Sequence, residues 1–170
     1  MNFVVHYVAS ASLQLAGFSY SNWAGNPTDI KSTSGFVFMI TEGPICNSSM
    51  KQHTISLSSA KTKYRATVNV ATQCVWLQGI LREFGVTIDS PTNIWVENKS
   101  AIKIYTNPVQ RKRKNNIEIH MHYIQGLVHD RVISFQYCPS TEQTANIFTK
   151  TFTKKNITYL RYFLRVSDGW

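Results

Sequence analysis

Residues 58–85 read SSAKTKYRATVNVATQCVWLQGILREFG, and the periodicity of this stretch decides the fold. Tyr64, Val68, Ala71 and Val75 recur at spacings of four, three and four, while Cys74, Leu77, Leu81 and Phe84 recur at three, four and three. Both series follow the 3.6-residue turn and predict one helix of about seven turns with a wide apolar face. Ser58 or Ser59 offers a capping hydroxyl at its start. Gly85 ends it, because glycine accepts the left-handed backbone of a helix C-cap.

A helix this apolar needs a sheet beneath it, and the flanking sequence supplies strands. Upstream, Leu15–Ser19 is short and apolar, and GFVFMIT (35–41) is dense in β-formers. Glu42 and Gly43 turn the chain into Pro44–Ser49, and Thr54–Leu57 leads to the helix. Downstream, Asn93–Val96 has strand length, Ser100–Tyr105 is a short helix closed by Asn107-Pro108, and Ile117–Val128 has helical spacing. Val132–Cys138 alternates as a strand, and Thr141–Phe148 and Ile157–Leu164 close the chain as helices. Three antiparallel strands followed by parallel additions imply an α/β domain with a mixed five-stranded sheet flanked by helices. The domain is expected over 15–165, with a short extension at 1–14 and a tail at 166–170.

The 170 residues suffice for one core. No apolar run reaches the roughly 20 residues of a membrane helix, so no membrane partner is expected. The first residues lack the basic leader of a signal peptide, which favours an intracellular chain over a secreted one. Cys46, Cys74 and Cys138 form no CxxC pair and read as free thiols. Eighteen Lys and Arg against nine Asp and Glu give a net charge of +9, which points to a polyanionic partner, nucleic acid first.

Six collinear blocks resemble the ribonuclease H domain of copia-type retrotransposon polyproteins, the domain that follows the reverse transcriptase. They are GFSYSNWAG (17–25), KSTSGFVF (31–38), LSSAKTKYRA (57–66), IWVENKSAI (94–102), IEIHMHYI (117–124) and STEQTANIFTK (140–150). The resemblance implies a ribonuclease H-like fold. It also implies a reaction in which two Mg²⁺ ions, held by four carboxylates, cleave the RNA strand of an RNA–DNA hybrid.

At the four positions that the resemblance makes catalytic, this chain carries Tyr20, Lys63, Glu97 and Asn146. Only Glu97 is acidic, and it stands where the family has the shorter Asp. Two further acids of these blocks are replaced by Asn22 and Lys61. A lysine is worse than a neutral residue here: a unit charge about 4 Å from Mg²⁺ costs about 8 kcal/mol at an effective dielectric of about 20. The expectation is a catalytically inactive remnant with no metal or other cofactor bound. Restoring acids at 20, 22 and 146 removes three positive charges and restoring Glu at 61 and 63 removes four, leaving a net charge of about +2. The basic excess is then largely the trace of lost acids.

Two alternatives to an inert remnant stand beside it. One is a pseudoenzyme that grips hybrid or other nucleic acid without cutting it, with Lys63 neutralising a phosphate. The other is a repurposed, effector-like protein-interaction module, which a large exposed apolar patch would favour. Arg111, Lys112, Arg113 and Lys114 form a basic tetrad suited to a phosphate backbone or to a solvated loop. Glu118 and His122 share a helix face but lack a third metal ligand and read as a surface pair. Trp23, Trp76 and Trp95 lie in apolar blocks and are expected in the core.

Overall fold

The computed structural model describes residues 3–8, 13–22, 31–52, 59–107 and 116–168, with the side chains at 59–61, 116–118 and 155 excepted. In chain order it has strands β1 (Phe3–Val5), β2 (Leu15–Asn22), β3 (Thr33–Ile40) and β4 (Gly43–Lys51), then helix α1 (Ser59–Glu83). Strand β5 (Thr92–Val96), helices α2 (Lys99–Thr106) and α3 (Asn116–His129), and strand β6 (Ile133–Tyr137) follow. A 3₁₀ turn (Thr144–Phe148), helix α4 (Lys154–Phe163) and strand β7 (Val166–Asp168) complete the chain. The expected strand at Thr54–Leu57, the basic tetrad and Trp23 lie outside the described residues.

The main sheet has the order β4-β3-β2-β5-β6. β2, β3 and β4 are antiparallel neighbours, and β5 and β6 add in parallel, as the element order predicts. Alternation along β3 divides the interior. Phe38 turns to the α1 side, into a core with Val70, Cys74, Leu77, Ile94, Ile124 and Phe135, while Val37 and Met39 turn to the other side and meet Ala145 and Leu164.

The long helix ends as its sequence predicts. Gly85 has φ 77°, its N–H donates to the Arg82 carbonyl, and the Val86 N–H donates to the Leu81 carbonyl, both at 2.9 Å. These two bonds are those of a Schellman motif, which satisfies carbonyls the helix cannot.

Several expectations are corrected. Phe84 lies past the last helical residue and is 81 % exposed. Trp76 is 57 % exposed rather than in the core, because it lies about 200° round the helix from Cys74, which faces the sheet. The closing helix expected at 141–148 shrinks to the 3₁₀ turn, where Gln143 is buried and its side-chain amide donates to the Trp95 carbonyl at 3.0 Å. The β3–β4 turn falls on Thr41 and Glu42, both with positive φ, one residue before the Glu42–Gly43 pair expected. Gly43 is required next to it by the Tyr7 ring, which occupies the space a Cβ would fill.

The extension and the tail also gain structure. β1 pairs antiparallel with β7, Phe3 opposite Asp168 and Val5 opposite Val166. Among the described residues, no helix is long and apolar enough to cross a membrane.

Candidate functional site

Parallel strand β5 ends at Val96, and Glu97 follows at the C-terminal edge of the sheet. Asn98 fixes the next step of the backbone. Its side-chain oxygen accepts from the Ser100 and Ala101 N–H groups at 3.0 and 3.2 Å and caps α2. Glu97 is thereby held between a strand end and a helix start. Lys63, in the second turn of α1, reaches the same point, and its Nζ forms an ion pair with Glu97 Oε1. The two side chains are 30 % and 12 % exposed, so the pair is shielded from much of the screening that weakens surface pairs.

The other carboxylate oxygen is also engaged. Ser140 Oγ donates to Glu97 Oε2 at 2.7 Å, and the Ser140 carbonyl accepts from Asn146 Nδ2 at 3.3 Å. Asn146 is buried in the 3₁₀ turn, and its main-chain carbonyl accepts from Thr149 Oγ1 at 2.9 Å. Lys63, Glu97, Ser140 and Asn146 therefore form one connected polar chain across α1, β5 and the loop after β6. An amide suits position 146, since its N–H₂ meets a carbonyl that a carboxylate would repel.

Tyr20, on β2, completes the cluster. Burial, with the Glu97 charge adding to it, raises its phenol above the ordinary tyrosine value of 10.0, so the group stays neutral at physiological pH. Lys150 Nζ lies 5.5 Å from the centre of the Tyr20 ring. The space bounded by Tyr20, Lys63, Glu97 and Asn98 is about 10 Å³, near the lower limit for a single water.

The structure thus gathers all four positions named from the sequence. Around them it adds Ser140 and Lys150, the first and last residues of the block at 140–150, and Lys99, whose Nζ stands 4.2 Å over the Tyr137 ring. The block contains Ser140 but gave it no role, because that role depends on the loop bringing it to Glu97. Of the other candidates, His122 is exposed. Trp95 is half-buried against Phe18. The three cysteines are free thiols. Among the described residues, no three of His, Cys, Asp and Glu converge as a metal site.

No protein-family model matches the chain. The fold is nonetheless that of ribonuclease H. The chain superposes on LC11-RNase H1, solved in complex with an RNA/DNA hybrid, with a TM-score of 0.58 at 14 % identity, covering 80 % of this chain and 94 % of that one. It also superposes on the N-terminal RNase H domain of a Mycobacterium tuberculosis protein with a TM-score of 0.55 at 10 % identity, covering 89 % and 98 %. Its sequence is homologous to the copia-type Pol polyproteins of transposons. The retrovirus-related Pol polyprotein from transposon RE1 of Arabidopsis thaliana is 29 % identical over 143 residues, which are 84 % of this chain and 10 % of the polyprotein. The chain thus has the ribonuclease H fold and a sequence similar to retrotransposon Pol polyproteins, and it spans about a tenth of the length of that curated relative.

Proposed function

We propose that this domain no longer cleaves RNA–DNA hybrids and persists as a catalytically inactive relative of a hybrid ribonuclease. The observation that carries this reading is the Lys63–Glu97 ion pair. The single carboxylate of the cluster already has a cation, tethered to the chain, on one oxygen and a hydroxyl on the other. Two Mg²⁺ ions need several anionic oxygens. A neutral phenol, an ammonium, an engaged carboxylate and an amide turned toward a carbonyl do not match that donor set.

The test is incubation of purified chain with a labelled RNA–DNA hybrid in Mg²⁺ or Mn²⁺. The expected result is no cleavage above a mock-purified blank. Cleavage that is lost on Glu97→Gln would overturn the proposal.

A second reading, a non-cutting binder of hybrid or other nucleic acid, is favoured by Lys99 and Lys150. Both are exposed and hold their ammonium groups over aromatic rings, Lys99 over Tyr137 and Lys150 over Tyr20 of the cluster. LC11-RNase H1, of the same fold, was solved with a hybrid bound. Lys63 is less suited to gripping phosphate, since Glu97 already balances it. Binding on this reading survives EDTA, falls as salt rises, and weakens in Lys150→Ala more than in Lys63→Ala.

A further inference from the structure

On the face of the sheet away from α1 lies a cleft of about 880 Å³, within the range of pockets that enclose small organic molecules. Ala16, Phe18, Met39 and Trp95 form its floor, and Tyr162 and Phe163 of α4 stand along its wall. The Phe18 and Trp95 rings lie nearly parallel, 14° apart with centres at 6.2 Å, as a continuous aromatic surface across β2 and β5.

We propose that this cleft is a binding site for an amphipathic organic cation, an aromatic body carrying an ammonium group. Its charged lining consists of Glu42, Glu142 and Arg165, and Arg165 is paired with Glu42. Glu142 leaves the cleft locally acidic on a protein whose net charge is +9, and among the described residues no cation pairs with it. Its field reaches the cleft wall: burial first, and the Glu142 charge second, push the Cys138 thiol up to about 11. Such a lining repels phosphates and attracts cations, so the site is chemically opposite to the lysine-flanked cluster around Glu97.

Two hydroxyls lie just behind the lining. Thr144 is 2 % exposed, it lines the cleft, and its Oγ1 has no hydrogen-bond partner. Thr41 Oγ1, also in the lining, is likewise buried and unpartnered. Unpaired buried hydroxyls cost stability, and both oxygens lie beneath the cleft surface, shut off from its interior. Aromatic faces add attraction for the same charge, because the ring quadrupole is negative above its plane.

The test is calorimetric titration of the intact chain with 1-naphthylmethylammonium, alongside neutral 1-naphthylmethanol and anionic 1-naphthoate. The expected result is one saturable site for the cation, weaker binding of the alcohol and none of the anion. Glu142→Gln, at an exposed position, lowers affinity for the cation about fivefold without changing the far-UV circular dichroism. Thr144→Val, which removes a hydroxyl beneath the surface, leaves the affinity unchanged, while the melting temperature holds or rises because an unpartnered hydroxyl is gone. Failure of the cation to saturate, equal affinity for all three compounds, or unchanged affinity in Glu142→Gln would overturn the proposal.

Discussion

The two faces of the sheet are built differently. Under α1, α2 and α3, thirteen buried residues among those described form a continuous apolar core. On the opposite face the buried members of the cluster among the described residues are Val37, Met39, Ala145 and Leu164, and the 880 Å³ cleft opens beside them. The first face carries the fold, because close packing there leaves no slack for a lost side chain. The second carries its openings, and the polar chain from Lys63 to Asn146 runs along the boundary between them.

Truncation should give the largest effect and separate the faces. Phe38→Ala is expected to cost about 3–5 kcal/mol in urea unfolding, since Phe38 is completely buried under α1. Leu164→Ala should cost nearer 2 kcal/mol, as its neighbours can collapse toward the cleft. Equal costs would erase the contrast.

The boundary comes next. Lys63→Glu sets two carboxylates against each other and is expected to cost about 2–4 kcal/mol, with most of it recovered in the double variant Lys63→Glu, Glu97→Lys. A single variant as stable as the parent would make the ion pair a bystander.

The smallest effect is a dependence on alkaline pH. Burial pushes the Cys74 thiol and the Tyr64 phenol each to about 12, from 9.0 and 10.0. Both groups then hold their protons more tightly folded than unfolded. Their contribution is complete below pH 9 and drains away as pH rises toward 12. Thermal melts at pH 8, 9.5 and 10.5 should show this fall, and Cys74→Ala should flatten it more than Cys138→Ala, whose thiol lies only at about 11.

The sequence made the α1 face legible because a repeating contact leaves a repeating pattern. Val68, Ala71, Cys74 and Leu77 announce their helix by spacing alone, and the run of β-formers from Phe36 to Ile40 announces its strand. Lys63, Glu97 and Asn146 were found through blocks of resemblance, whose order preserves their place in the fold. What spacing cannot carry is a contact made once, between residues far apart in the chain. Ser140 reaching Glu97 is such a contact, as is Tyr7 covering Gly43. Trp76 shows the converse: its apolar neighbourhood in sequence suggested burial, yet the helix turns it toward water.

The ribbon of β1 and β7 has a consequence for how this domain can be carried. Because Val5 and Val166 are register partners, the polypeptide enters and leaves at one place. A module with adjacent ends can be spliced into a surface loop of a host protein without prying that loop apart. Its own ends can also be linked by a few residues and new ones opened elsewhere, giving a circularly permuted chain with the same interior.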